Sequence, residues 1–186
     1  MNFLYIPWMA FLLAVVFVFL SKKLASQLHI YDNPDSSLAV HERPIPHLGG
    51  FGIFLAAFIA LMLSFFFIFK QINLLRLSSV LIGGLLAFSL GLWDDLKWKR
   101  IRKNYRPNTK FILQVLVSGV ISIVLIVGGL SIRFIPIGIV GMILVIFYIF
   151  GGMNAVNMQD GLDGLAAGLV AISTAGFATL SFLTYF

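Results

Sequence analysis

The sequence has no cysteine, and only 11% of its 186 residues are charged. The first absence excludes a disulfide scaffold, thiolate catalysis and a zinc site with cysteine ligands. The second excludes an ordinary soluble domain, in which about 25% of the residues are charged. Apolar residues are abundant instead, since 60% of the chain is hydrophobic and nineteen residues are phenylalanine. This excess excludes intrinsic disorder and predicts an integral membrane protein.

Six apolar stretches are of a length that suits bilayer crossing, because a spanning helix takes about 20 apolar residues. The first stretch has no basic residue before it, which is not the pattern of a cleaved signal peptide. We therefore predict an all-α, polytopic helical bundle with about six transmembrane helices, at Phe3–Leu20, Leu48–Phe69, Leu77–Trp93, Phe111–Leu130, Phe134–Met153 and Leu165–Phe186.

The placement of charge predicts how the bundle is oriented. Alternate connections (21–47, 94–110 and 154–164) hold ten of the thirteen Lys and Arg residues, and the others hold Lys70, Arg76 and Arg133. All seven acidic residues and all three histidines lie in the first set as well. The positive-inside rule makes these polar loops cytoplasmic and puts the N-terminus outside. The net charge of +6 is thereby explained by topology, and nucleic-acid binding is not expected.

Two adjacent carboxylates, Asp94 and Asp95, close the third predicted span. We expect a helix C-terminus there, where the helix dipole disfavours negative charge. Mg²⁺ would relieve this penalty and the mutual repulsion of the carboxylates, because it binds carboxylate and phosphate oxygens. The structural alternative pairs the two aspartates with Lys97 and Lys99 as ordinary interfacial charges.

Basic residues crowd the segment 97–110 that follows. Most of them are explained by membrane topology, although attraction of a lipid phosphate or a nucleotide diphosphate is a second interpretation. Lys110 differs because it opens the fourth predicted span, with Gln114 one turn later on the same face. From that position Lys110 can reach back towards Asp94 and Asp95.

The polar run at 154–168 carries the most specific pattern, because Asn154, Asn157, Asp160 and Asp163 recur at every third residue. In an ideal α-helix this spacing would spread the four side chains over about half the circumference. We therefore expect a loop or 3₁₀ turn that directs them to one place. Amides and carboxylates beside glycines suit recognition of a base or sugar edge and assistance at a phosphate. The alternative for Asp163 is the N-cap of the sixth helix.

The first cytoplasmic loop contains D-N-P-D at 32–35 and H-E-R-P-I-P-H-L-G-G at 41–50. Its three prolines and paired glycines predict a shaped, non-helical segment that leads directly into the second span. His41, Arg43 and His47 are candidate contacts for anionic groups. For His29 we favour an interfacial position with no special role.

Together these motifs resemble the polyprenyl-phosphate N-acetylhexosamine-1-phosphate transferases, that is, glycosyltransferase family 4. This family includes the enzymes that initiate bacterial O-antigen and teichoic-acid synthesis and the phospho-N-acetylmuramoyl-pentapeptide transferase. The H-x-x-P-x-P-x-x-G-G form is most similar to the N-acetylglucosamine branch. The resemblance covers the chain from residue 31 onward.

The resemblance implies a multi-pass enzyme of the bacterial inner membrane that uses Mg²⁺, or Mn²⁺ in its place. Such an enzyme transfers an N-acetylamino-sugar 1-phosphate from a UDP-sugar to undecaprenyl phosphate, giving a lipid-linked sugar diphosphate and UMP. Asp94 and Asp95 would then be the catalytic residues and metal ligands. The substrate-binding residues would be Lys110, His41, Asn154, Asn157, Asp160 and Asp163.

Two departures from the family pattern affect these expectations. The stretch 36–39 lacks the basic residue that commonly precedes the first-loop histidine, and His47 stands where an arginine is common. Family members also usually have ten or eleven spans. We therefore expect residues 1–186 to be a single transmembrane transferase domain, the N-terminal part of a longer enzyme and inactive alone; a homodimer stays open.

Two other functions remain open from the sequence. A small transporter or channel would use the acidic residues to carry ions, but these residues lie at the ends of the spans and not within them. A degenerate paralogue would bind a nucleotide sugar or a lipid without turnover.

Overall fold

The computed structural model describes residues 5–32, 44–46, 48–67, 73–100, 107–130, 138–160 and 164–185. Six of its helices are long and apolar enough to cross a membrane. The predicted polytopic helical membrane protein is therefore confirmed. The helices are α1 (Tyr5–Gln27), α2 (Gly49–Phe67), α3 (Leu74–Arg100), α4 (Pro107–Val127), α5 (Ile139–Gln159) and α6 (Leu165–Tyr185).

Three helices continue further than the predicted spans. The helix α1 runs to Gln27, α3 to Arg100 and α5 to Gln159, each at least six residues beyond the expected end. Hydrophobicity marks where a segment leaves the lipid, whereas backbone hydrogen bonding continues until a cap or a turn residue interrupts it. The predicted ends were therefore wrong for these helices, and in two of them the extension carries candidate site residues.

The C-terminus of α1 ends in a cap that normally takes glycine. His29 has a φ of 54°, its N–H donates to Ser26 O at 3.3 Å, and the N–H of Ile30 donates to Ala25 O at 2.8 Å. This pair of bonds is the Schellman motif, whose left-handed residue is glycine in most helices. Gly129 occupies the same position at the end of α4, with a φ of 94°.

A short β-ladder, which the sequence did not predict, closes the base of the first loop. The strands β1 (Tyr31–Asp32) and β2 (Ile45–Pro46) pair antiparallel, with Tyr31 opposite Pro46 and Asp32 opposite Ile45. Pro46 is tolerated because a two-stranded ladder has only edge strands. The ladder holds residues 31–32 and 45–46 beside each other.

The helices α1 and α2 pack with their backbones in close approach at Gly52. A Cβ at Gly52 would lie 2.7 Å from Phe17 O and 2.7 Å from Val18 N of α1, closer than real Cβ contacts allow. Small residues at such crossings let membrane helices gain packing energy where lipid supplies no hydrophobic driving force between them. On its other side α2 contacts α3 through Phe54 and Phe88, whose rings stack at 4.2 Å with an angle of 8°.

The helices α3 and α4 form an antiparallel hairpin. Near one end, Ser79 of α3 lies so close to Gly128 of α4 that a Cβ on the glycine would overlap its hydroxyl. At the other end, Asp94 of α3 contacts Lys110 of α4. The hairpin thus brings the carboxyl-terminal part of α3 beside the first turn of α4.

The chain divides into two compact units, residues 1–146 and 147–186, with the boundary inside α5. The first unit contains α1 to α4 and the β-ladder. The second contains the end of α5 and α6, in which Ala166 is the buried residue among the described side chains.

Candidate active site

Asp94 and Asp95 lie within α3, not at its C-terminus. The candidate membrane span in α3 ends at Asp95, two residues past the predicted end at Trp93, and the helix itself continues to Arg100. Because the helix dipole acts mainly within the last turn, the expected dipole penalty on these carboxylates was wrong. Consecutive residues on a helix point about 100° apart, so the two side chains do not share one direction. Asp95 is exposed, whereas Asp94 is only partly so.

Lys110 and Asp94 form an ion pair across the α3–α4 hairpin. Lys110 Nζ lies 2.6 Å from Asp94 Oδ2, and the two side chains retain 27% and 20% of their exposure. The predicted reach of Lys110 back to the aspartates is therefore confirmed for Asp94. A lysine in the first turn of a helix is disfavoured by the positive end of the helix dipole. The Asp94 carboxylate compensates for this at the start of α4.

A line of polar side chains continues from Lys110 along one face of α4. Gln114, Ser118 and Ser122 follow at intervals of four residues, with 6%, 0% and 0% exposure. The Ser122 hydroxyl donates to Ser118 O at 2.7 Å. The Gln114 side chain has no hydrogen-bond partner among the residues that the structure describes. An unpaired buried amide costs about 1–3 kcal/mol, so its presence calls for a reason.

The corner between α3 and α4, formed by Asp94, Asp95 and Lys110, has a capacity to bind metal that depends on its donor atoms. No group of three or more acidic or histidine side chains converges among the residues that the structure describes. Mg²⁺ does not need such a group, because it is commonly held by one or two carboxylates together with substrate phosphates and water. Asp95 and Asp94 supply oxygen donors of that kind, with Lys110 as a neighbouring positive charge.

The second polar run begins inside α5. Asn154 and Asn157 are helical, so the expected loop or 3₁₀ turn was wrong for these two residues, and the helix yields to a turn only at Asp160. Asn154 is half-buried and its Nδ2 donates to Phe150 O at 3.0 Å, while Asn157 and Asp160 are exposed. Local bonding of a helical amide to the carbonyl four residues earlier explains why α5 tolerates Asn154.

Four predicted contacts lie outside the described residues: His41, Arg43, His47 and Asp163. Of their neighbours, Gly164 has a φ of 78° and its carbonyl accepts from the N–H of Gly168 at 2.8 Å, which starts α6. The N-cap alternative for Asp163 stays a prediction. The pairing of the two aspartates with Lys97 and Lys99 also stays untested, because those side chains lie outside the described set.

Sequence reasoning missed the continuity of the polar line on α4. The spacing of Lys110, Gln114, Ser118 and Ser122 is visible in the sequence, and four-residue steps follow one helix face. Serine is common in membrane helices, so this spacing alone does not indicate a continuous polar line. The line is recognised only in the structure, where Ser118 and Ser122 are both buried.

Comparison with known proteins identifies the family of this chain. The model of glycosyl transferase family 4 matches residues 77–185, which include most of α3 and the whole of α4 to α6. No solved structure gives a significant match.

Curated relatives carry names of one reaction class. The chain is 27% identical over 169 residues to the probable undecaprenyl-phosphate N-acetylglucosaminyl 1-phosphate transferase of Bacillus subtilis, covering 86% of this chain and 43% of the relative. It is 30% identical over 183 residues to the undecaprenyl-phosphate alpha-N-acetylglucosaminyl 1-phosphate transferase of Salmonella typhi, covering 95% and 45%. It is 30% identical over 177 residues to the phospho-N-acetylmuramoyl-pentapeptide-transferase of Leptospira biflexa, covering 82% and 46%.

The chain spans less than half the length of these three relatives. The family model, in contrast, covers more than half of the chain and includes both polar regions described above. The chain therefore belongs to glycosyl transferase family 4.

Proposed function

We propose that this protein transfers an N-acetylamino-sugar 1-phosphate from a UDP-sugar to undecaprenyl phosphate at the cytoplasmic face of the bacterial inner membrane. The products are a lipid-linked sugar diphosphate and UMP, which start the synthesis of a cell-envelope polysaccharide. The observation that carries the proposal is the Asp94–Lys110 pair, which sets a carboxylate and an ammonium together where α3 leaves the membrane. The names of the relatives supply the reaction class.

The reaction requires a charged nucleophile to approach a charged diphosphate. An oxygen of the lipid phosphate forms a bond to the sugar-bearing phosphorus, and the bond from that phosphorus to UMP breaks. A phosphate monoester is already largely ionised at neutral pH. Removing a proton is thus a minor task, and the main one is to neutralise repulsion between phosphates. Positioned cations perform this task in phosphoryl transfer.

Lys110 supplies one such cation. Its ammonium lies 2.6 Å from Asp94, which holds the long side chain in one place before substrate arrives. A phosphate oxygen that approached the pair would find a fixed ammonium with spare N–H donors, since lysine has three. Pre-positioning lowers the ordering cost that a mobile lysine would incur on binding.

Mg²⁺ would be held by Asp94 and Asp95 together with substrate phosphate oxygens, with Mn²⁺ as a substitute. When bound, the ion withdraws charge from the diphosphate and helps UMP to leave. The exposure of Asp95 supports this assignment, because a Mg²⁺ site that keeps water ligands needs an accessible carboxylate.

The nucleotide sugar would be bound by the second polar run. Asn157 and Asp160 are exposed and offer amide and carboxylate groups to a base or sugar edge. Asn154 shares this run while its amide is engaged with Phe150 O. We assign Asp163 and His41 to the same function from their motifs.

The proposal is tested by reconstituting the native gene product, the whole reading frame that contains these residues, in proteoliposomes. We expect UDP-N-acetylglucosamine and undecaprenyl phosphate to give UMP and lipid-linked product in equal amounts, with loss of both in EDTA and recovery in Mg²⁺. Product formation that persists in EDTA would contradict the metal assignment. The absence of both products with every UDP-N-acetylamino sugar tried would contradict the transferase.

The same proteoliposomes separate the two other functions. A transporter would accumulate a cation or drive proton-coupled uptake with no UMP released. A degenerate paralogue would bind a UDP-sugar in calorimetry but yield no product in the native form.

A further inference from the structure

Gln114 is the member of the polar line on α4 whose side chain has no hydrogen-bond partner among the described residues. Lys110, one turn earlier in α4, is paired with Asp94, and Ser122, two turns later, donates to Ser118 O. Gln114 retains only 6% of its exposure, yet its side chain forms no hydrogen bond with any residue in the described ranges. Interior amides in native proteins are bonded in the great majority of cases. The hydrogen-bonding group that completes this amide therefore lies outside the residues that the structure describes.

We propose that the Gln114 amide binds the phosphate of the polyprenyl phosphate and thereby distinguishes the lipid substrate from the nucleotide substrate. This inference rests on the proposed function. Two observations support it: the position of Gln114 along the candidate membrane span, and a side-chain amide that has no hydrogen-bond partner among the described residues. Gln114 lies within the membrane-spanning part of α4, one turn or about 6 Å further along the helix axis than Lys110.

The depth favours a lipid phosphate over a nucleotide phosphate. The chain of a polyprenyl phosphate lies among the acyl chains, so its phosphate approaches the α3–α4 corner from the membrane side. The nucleotide approaches from water and meets Lys110 and Asp95 first. Gln114 lies one turn further into the candidate span than Lys110 on the same helix face, and it is thus placed to contact the lipid substrate.

The chemistry of the side chain fits a phosphate monoester. The amide has two N–H donors and no charge. It can bond phosphate oxygens without the desolvation penalty that a second buried lysine would bring. Lys110 supplies the neutralising charge, and Gln114 supplies directional hydrogen bonds one turn away on the same helix face.

The test uses farnesyl phosphate and farnesol as probes, which share an isoprenoid chain and differ in the phosphate. The native gene product is placed in nanodiscs of zwitterionic lipid, and the affinities for both probes are measured. We expect the wild type to prefer the phosphate by at least about 10-fold and Gln114→Leu, which keeps the size but removes the amide, to lose most of this preference. Ser122→Ala is the matched control on the same face and should keep it.

Thermal unfolding of Gln114→Leu provides the second readout. A leucine that replaces an unpartnered buried amide leaves stability unchanged or raises it. An unstable or unfolded Gln114→Leu protein would show that the amide is already satisfied within the fold, which overturns the proposal. An undiminished preference in Gln114→Leu, or no preference in the wild type, overturns it as well.

The two proposals fail in different ways. If the native protein prefers farnesyl phosphate through Gln114 but releases no UMP, the transferase proposal fails and the lipid-phosphate site stands. If UMP is released while Gln114→Leu has a normal KM for undecaprenyl phosphate and a normal probe preference, the reverse holds. A rise in the KM for the lipid with an unchanged KM for the UDP-sugar supports both.

Discussion

The two polar regions of this protein differ in how their side chains are held. At the α3–α4 corner, Asp94 and Lys110 come from different helices and meet at 2.6 Å, partly shielded from solvent. At the end of α5, Asn154 bonds within its own helix, to Phe150 O, and Asn157 and Asp160 are exposed. The first region is organised by tertiary packing and the second by local helical structure. We infer that the corner contributes mainly to the rate and the α5 end mainly to binding.

The largest expected effect follows from removing a charge at the corner. Asp95→Asn keeps the shape of the side chain but removes a carboxylate proposed to bind Mg²⁺. We expect kcat/KM of the native gene product to fall by at least about 100-fold, as when a charge that stabilises the transition state is lost. Ser89→Ala, an exposed change on the same helix, is the control. Near-normal kcat for Asp95→Asn would remove the distinction between the two regions.

The next effect concerns stability of the corner. Lys110→Met removes the ammonium that lies 2.6 Å from the partly buried Asp94, and we expect a loss of about 2 kcal/mol in the free energy of unfolding, between the values for exposed and buried pairs. The double variant with Asp94→Asn should recover most of this loss, because the carboxylate that Lys110 neutralises is then absent as well. Unfolding in mild detergent measures all three proteins. Losses that simply add would show that the pair is not coupled.

At the α5 end, a single exposed amide should affect binding alone. Asn157→Ala removes hydrogen bonds proposed to hold the nucleotide sugar, and we expect the KM for the UDP-sugar to rise about 10-fold, or about 1.4 kcal/mol. The kcat and the unfolding temperature should stay within error, since Asn157 is exposed. A fall in kcat with an unchanged KM would instead show that Asn157 contributes to the rate and not to binding.

The smallest expected effect lies at the far end of the α3–α4 hairpin. Gly129→Ala forces an L-residue to a φ of 94° and brings its Cβ within 3.3 Å of Arg76 Nε. We expect a loss of about 1 kcal/mol in stability. His29→Gly, the reciprocal change in the equivalent cap of α1, should gain a similar amount. A destabilised His29→Gly would instead show that the contacts of this histidine outweigh the strain of its backbone.

Much of the architecture was readable in the sequence because the bilayer requires long apolar helices. The six helices, and the end of the third span to within two residues, follow from hydropathy alone. The extensions of α3 and α5 did not, because polar residues such as Asn154 and Asn157 have modest helix propensity and their helical state depends on the turns before them. The prediction was wrong for segments whose backbone conformation depends on hydrogen bonds and not on the surrounding lipid.

The candidate site was predictable in composition but less so in geometry. The reach of Lys110 to Asp94 followed from its position at the start of the fourth span. The burial of Gln114 without a partner did not, because burial depends on how α4 packs and not on its sequence. The ladder between Tyr31–Asp32 and Ile45–Pro46 was missed for a similar reason, since two residues carry no detectable β periodicity.

The central claim is that Asp94 and Lys110 act as one unit in phosphoryl transfer. The most direct test is the rate of UMP release by the native gene product carrying Asp94→Asn, Lys110→Gln or both. The account predicts that the double variant is no slower than the slower single variant, because each change already disables the unit. A double variant whose rate loss equals the product of the two single losses would show independent roles and contradict the account.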